Sequence, residues 1–490
     1  MDYLTAVFRN LPALLCLSLL LASCGSPVGS ATPGQTPAAV VSPSSAARST
    51  RAPTQDNPAV SSPTSRPSPI PTLGGDLASL KGVNVRFWYA WNGEDTDPWP
   101  ALIADFNRTN TWGIVVNGAV FPELSDIFDQ VQSSIYGELP DVLIGYNYQA
   151  MRQDRAGSLL VDLGPYVQDP RWGYTSAEVG DFIPLFWGQD VQNGKRLGLP
   201  FYRLEQGLFY NLTWARELGF SQPPASSAEF KTQACAASQA NQKDSDPAMH
   251  GTGGWVINWD APTLASWLFA YGSDLSGPGG NAYNFNNSAA RQAFTFLRDL
   301  QDSGCAWASE NLYPNAEFAS RQALFISASA ASLPAQQDAF QTATASDHWT
   351  VMAFPPSSPA RRGVVDAYGP SLSLLKSNPQ RQLAGWLFIK WLDSPETQAR
   401  WAALRSVLPV RTSALSRMAD YRQIHPQWGA MADLLPQAHV EPPLISWGVV
   451  NWALSDAGKE LFSATFQSSQ LPTLLLQLDQ TAKELDGQYR

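Results

Sequence analysis

The chain has 490 residues, with 32 Lys and Arg against 42 Asp and Glu for a formal charge of −10, and it holds 18 Trp but only four Cys and four His. The acidic balance excludes a general nucleic-acid binder, which needs a basic surface, and four scattered His (His250, His348, His425, His439) without a C-x-x-C pair exclude a zinc site. The length exceeds one ordinary domain, and 44% hydrophobic residues suffice for a large core.

From Leu11 to Ala22 the chain carries no charge. This stretch is too short to span a bilayer and suits the apolar region of a secretory signal peptide. Leu21-Ala22-Ser23-Cys24-Gly25 follows and resembles a bacterial lipobox, in which cleavage precedes Cys24 and its thiol receives lipid. Residues 25–75 contain ten Pro and four charged residues, with almost nothing to bury, and read as a disordered tether. The expected division is therefore a signal peptide at 1–23, a lipidated Cys and tether at 24–75, and a folded body at 76–490. Cys16 leaves with the signal peptide and Cys24 serves as the anchor. Cys235 and Cys305 remain as an even pair in an oxidising compartment, so a disulfide is expected, with two separate buried thiols as the alternative.

The body opens with alternating strands and helices. Val83–Tyr89, Ile114–Val120 and Asp141–Tyr146 have strand character. Between them, Asp97 caps a helix with Trp99, Leu102, Ile103 and Phe106 on one face, and Leu124–Tyr136 repeats apolar residues at helical spacing. This β-α-β-α-β order predicts parallel strands with right-handed crossovers, and ligand loops at their carboxyl ends, here 89–97, 121–123 and 146–149. Leu197–Phe201 and Leu208–Asn211 follow as strands, then helices at Trp214–Gly219 and Glu229–Asn241, a strand at Gly253–Asn258, and helices at Pro262–Tyr271 and Ala289–Ser303. Phe318–Ala323 reads as helix and Leu324–Ser329 as strand. Helix starts are marked by Ser377-Asn-Pro-Gln380 and Ser394-Pro-Glu396, where a polar cap precedes Pro in the first turn. The last hundred residues are helix-rich.

No Walker loop, H-E-x-x-H or G-x-S-x-G occurs, and no carboxylate spacing singles out an acid–base pair. Aromatic clusters are the distinctive feature: Trp88, Tyr89 and Trp91 at one strand end, Tyr146 and Tyr148 at another, Trp255 and Trp259 beside Asn258 and Asp260, and Trp447 with Trp452. Aromatic faces pack against the C–H faces of sugars, while neighbouring polar groups bond the hydroxyls. Trp386 and Trp391, in an apolar helical stripe, belong to the core.

In chain order, Phe87-Trp-Tyr-Ala-Trp91, Leu139-Pro-Asp-Val-Leu-Ile144, Leu199-Pro-Phe201 with Leu208-Phe-Tyr-Asn211, Glu217-Leu-Gly219, Pro223–Phe230, Ala384-Gly-Trp-Leu-Phe388, Ser394-Pro-Glu396 and Leu408-Pro-Val-Arg411 together resemble the extracellular solute-binding proteins of ABC importers, in the cluster that takes sugars and polyols. The resemblance implies an α/β, type II periplasmic-binding-protein-like fold. Its two discontinuous lobes (about 78–204 plus 363–402, and 205–362 plus 403–490) are joined by hinge strands, with ligand in the cleft. It implies no catalytic residue, metal or cofactor, and a monomer that partners a small sugar or polyol and membrane permease subunits. The site residues it points to are Trp88 and Trp91 as stacking platforms, Glu94 bonding hydroxyls, Tyr146, Tyr148, Trp255, Asn258, Ser327, Ser329, Tyr368, Gly369, Arg405 and Trp447. A neutral mono- or oligosaccharide is the expected ligand. A polyol phosphate such as glycerol 3-phosphate, held by a charged partner such as Arg405 or by backbone N–H groups at a helix start, is the main alternative, with a secreted carbohydrate-active enzyme and a sensor-kinase adaptor as further ones.

Overall fold

A computed structural model describes residues 73, 77–93, 97–133 and 138–489. The expected signal peptide, Cys24, the tether (apart from Leu73), Glu94 and the end of the second helix at 134–136 lie outside these residues. Within them, no helix is long and apolar enough to cross a membrane.

The strands in chain order are β1 (Asn84–Ala90), β2 (Val115–Phe121), β3 (Val142–Gly145), the short hairpin β4 (Val191–Gln192) and β5 (Lys195–Arg196), and β6 (Leu199–Pro200). They continue with β7 (Tyr202–Asn211), β8 (Gly253–Val256), β9 (Ala306–Trp307), β10 (Ala323–Ser329), β11 (Trp349–Met352), β12 (Val365–Tyr368), β13 (Ser371–Leu374), β14 (Leu408–Pro409) and β15 (Ala438–Val440). The first sheet has the order β2-β1-β3-β13-β6. β1 is parallel to β2 and to β3, as the alternating pattern predicts, while β13 runs antiparallel to β3 and β6. The second sheet has the order β15-β12-β7-β10-β8-β9, with β11 and β14 also on β7.

Helices cover these sheets through the faces their sequences predict. Helix Trp99–Thr109 buries Trp99, Leu102, Ile103 and Phe106. Asp97, one residue before the N-cap Pro98, accepts the Trp99 N–H at 2.9 Å and so satisfies a first-turn donor. Asn378 caps Pro379–Leu392 by accepting from the Arg381 N–H. Trp386 in that helix is fully buried and donates its indole N–H to the Trp172 carbonyl at 2.9 Å. In the second sheet, Cys235 on helix Ser227–Gln242 is joined to Cys305 by a disulfide with a Cα–Cα distance of 4.4 Å.

Two local expectations change. The Leu208–Asn211 strand is the end of a ten-residue strand that begins at Tyr202. Arg203, Glu205 and Gln206 break its apolar pattern yet are buried, because β14, β12, β10 and β11 flank it. The helix expected at Phe318–Ala323 occupies Asn315–Ala319, since Ala323 already pairs with Gly253 in β10.

Candidate ligand cleft

The first wall is built by the carboxyl ends of parallel strands. Trp88 packs on Phe121 with ring centroids 5.0 Å apart. Just beyond β1, the Trp91 ring lies under the Arg405 guanidinium at 4.2 Å. After β3 the chain turns into helix Asn147–Gly157, and the Tyr146 N–H donates to Gln149 Oε1 at 2.8 Å. This places Tyr146 and Tyr148 face to face, 5.4 Å apart and 11° from parallel.

The junction between the sheets supplies the floor. Tyr202 opens β7, and Tyr368, opposite Leu204, closes β12. Gly369 has φ +153°, and a Cβ there would lie 2.5 Å from the Tyr202 carbonyl oxygen, so only glycine lets the two segments meet. Arg203 pins the same junction from below. Its guanidinium donates to Gln189, to the Tyr202 and Pro370 carbonyls and to Ser371, with Asp190 at 4.0 Å.

The second wall is acidic. Asp260 caps helix Ala261–Tyr271 by accepting the Thr263 N–H at 2.8 Å, and Asn258 donates to Asp260 at 3.0 Å. Glu441 follows β15 and approaches Trp447 at the start of helix Trp447–Leu461. Asp366, on β12 beside Tyr368, is fully buried. Burial raises the pKa of all three carboxyls, and for Asp366 the charges of Glu441 and Asp260 raise it further. For Glu441 the Trp447 indole N–H and Arg203 act in the opposite direction. That indole N–H lies near enough to favour the carboxylate, without the geometry of a full hydrogen bond.

Water reaches Tyr146, Tyr202, Asp260, Tyr368 and Glu441, yet protein surrounds each one closely enough to raise its pKa by burial. Accessible side chains so closely flanked by protein describe a cleft. The charges these groups feel link them in sequence: Arg405 acts on Tyr202, Tyr202 and Glu441 on Tyr146, and Tyr146, Glu441, Asp366 and Asp260 on Tyr368. Two open surface indentations, of about 540 and 760 Å³, are lined by other residues, including Arg86 and Arg381 in one and Arg291 and Asp299 in the other.

Of the residues expected at the site, Trp91, Tyr146, Tyr148, Tyr368, Gly369 and Arg405 lie along this line. Trp88 packs beside it on Phe121, and half-buried Asn258 touches it through Asp260. Trp255 and Trp447 depart from the expectation of ring faces presented to ligand, at 0% and 1% exposure. Trp255 packs on Trp267 and Phe462, and Trp447 against Tyr283. Ser327 is buried and accepts the Trp255 indole N–H at 3.1 Å, while half-buried Ser329 pairs with Gln206 across β10 and β7. Sequence reasoning did not single out Tyr202, Asp260, Asp366 or Glu441 as site residues. Asp260 alone had a local signal, as a cap before Ala261-Pro262.

Residues 101–427 match the family model for bacterial extracellular solute-binding proteins. Comparison by sequence with curated proteins gives no match. The fold is similar to that of the sugar-binding protein MalE from Xanthomonas citri, at 22% identity and a TM-score of 0.68 over 83% of this chain and 98% of that one. It is also similar to the cyclic α-maltosyl-1,6-maltose binding protein from Arthrobacter globiformis, at 18% and 0.67 over 83% and 99%. UgpB from Mycobacterium tuberculosis, solved in complex with glycerophosphocholine, gives 19% and 0.65 over 83% and 99%. The architecture is thus the two-lobed, type II periplasmic-binding-protein-like fold.

Proposed function

Because the chain belongs to the bacterial extracellular solute-binding proteins, we propose that it is an extracytoplasmic receptor that closes on a carbohydrate or related polyol and hands it to an ABC permease, held at the membrane through lipid on Cys24. The lobes of this reading are the two sheets with their helices, joined near 200–205, 352–371 and 405–408. The observation that carries it is the cleft itself, where Tyr146, Tyr148 and Tyr368 feel the charge of Glu441, Tyr368 also that of Asp260, and Tyr202, Arg405 and Trp91 continue the line. Flat apolar faces next to hydrogen-bond acceptors suit a ring or chain of C–H groups bearing hydroxyls. A phosphorylated polyol would require these carboxyls to stay protonated, so the acidic wall disfavours it as pH rises. No group here is asked to make or break a covalent bond, so the solute leaves unchanged.

A thermal-shift screen over sugars, polyols and polyol phosphates tests the reading. A true solute stabilises by about 2.7 kcal/mol at a hundredfold excess over Kd. Trp91→Ala removes the ring under Arg405 and is expected to weaken binding on the order of tenfold, in keeping with a stacking contact of about 1.4 kcal/mol. Trp88→Ala, whose ring rests on Phe121, is expected to weaken it less. Unchanged affinity in both variants assigns these rings to packing, and an absence of binding across the whole panel defeats the receptor reading.

A further inference from the structure

We propose that the solute carries a protonated amine among its hydroxyls, an amino sugar or aminopolyol, seated against Glu441 and Asp260 with Asp366 buried behind them. This rests on the receptor reading above and narrows it. The second wall gathers three carboxylates from β12, the segment after β15 and the cap before helix Ala261–Tyr271. Among the described residues, none of the three forms an ion pair, and the one cation whose charge reaches them is Arg203, which acts on Glu441. Its guanidinium is already committed to Gln189, Ser371 and two carbonyls.

Asp366 supplies the independent observation. It is 0% exposed, and neither carboxylate oxygen has a hydrogen-bond partner of good geometry; the Ala367 N–H only leans toward it. Its charged neighbours are Glu441 and Asp260, so it backs the acidic wall with acceptors that nothing in the protein fills. The groups around it are Tyr368 on its own strand, Gln206 opposite it on β7 with Thr263 bonded to that Gln, and Ser266, which accepts the Asp366 N–H. His439, opposite Asp366 on β15, is turned away; it stacks on Phe269 and meets Asp274 at 3.2 Å.

Such a wall asks for positive charge and for N–H donors together. A neutral sugar supplies donors without charge, a phosphate brings the wrong sign, and a quaternary ammonium brings charge without donors. The stacked Tyr146 and Tyr148 add electron-rich faces that favour a cation. Seating an ammonium lowers the pKa of the neighbouring carboxyls, so binding near neutral pH expels protons from the site, whereas a neutral sugar expels none.

Calorimetric titration of the purified chain with matched pairs tests this: glucosamine against N-acetylglucosamine, the glucosamine disaccharide against its diacetyl form, and 1-amino-1-deoxysorbitol against sorbitol, with glycerol 3-phosphate and glycerophosphocholine as further arms. At pH 7 an amine-bearing member is expected to bind at least about tenfold tighter than its partner, in keeping with a close opposite-charge pair. The binding heat is expected to differ between phosphate and Tris buffers in the sense of proton release. Asp366→Asn is expected to reduce the preference to about twofold or less, and Glu441→Gln, at a position water reaches, repeats the test should that variant not fold. The inference is overturned if acetylated, neutral, phosphate-bearing or quaternary ligands bind as tightly as the amines, if no protons are released, or if both variants keep the full preference. Tight neutral-sugar binding leaves the receptor reading standing while this inference fails; silence from every ligand defeats both.

Discussion

Glu205 lies on β7 with 0% exposure, and neither of its oxygens has a hydrogen-bond partner. Burial raises its pKa well above the ordinary carboxylate range, so the folded chain keeps a proton that the unfolded chain releases. Stability therefore falls as pH rises through that window, by up to about 1.4 kcal/mol per pH unit for one such group. Asp366 and Asp393 are raised in the same direction by burial and add to the slope. Glu205→Gln is expected to flatten the loss of melting temperature between pH 5 and pH 8, and identical slopes for variant and parent would remove Glu205 as a cause. The sequence disclosed little at this scale. Trp91 and Tyr146 were visible because an aromatic at a parallel strand's carboxyl end is informative by position. Asp366, Tyr202 and Glu441 were not, because each takes its role from neighbours far away in the chain.

Elements were more legible. Helix Trp99–Thr109 follows from amphipathic spacing and β1 to β3 from short apolar or alternating runs, and two helix starts follow from Asn378 and Ser394, each of which caps as its residue type predicts. β7 was legible only at its end, since buried Arg203, Glu205 and Gln206 have the polarity of a loop and the strand's other partners arrive from later in the sequence. The disulfide between helix Ser227–Gln242 and Cys305 spans a sequence separation of 70. In the chain-entropy view, a loop of that length stabilises by about 4 kcal/mol. A Cys235→Ser, Cys305→Ser double variant is expected to lose a comparable amount in urea unfolding. Equal stability would show that the bridge constrains nothing the packing does not already hold.

For the molecule as a whole, the informative contact joins the two walls. Gly448, early in helix Trp447–Leu461, approaches Tyr148 so closely that a Cβ would lie 2.4 Å from its ring. Beside it, the Arg152 guanidinium sits 4.2 Å from the Tyr489 ring centroid. Gly448→Leu is expected to wedge the walls apart. If the binding-competent arrangement falls to about a tenth of the population, apparent Kd rises about tenfold. Binding titration with small-angle scattering checks this, and unchanged affinity with an unchanged radius of gyration would sink it. The interleaving of the sheets was not legible from local pattern, because β13 and β15 join strands far behind them in the chain.

That interleaving bears on how the chain is made. β13, at 371–374, lies between β3 and β6, whose residues end at 145 and 200. β3 has only β1 beside it, and β6 has no neighbour in this sheet, until most of the polypeptide has been synthesised, and long-range pairing of this kind delays folding. A chain that crosses a membrane through a narrow channel must pass while still unfolded. The order of strands in this sheet leaves it incomplete until residues 371–374 are made, which suits a chain that has to pass a membrane unfolded.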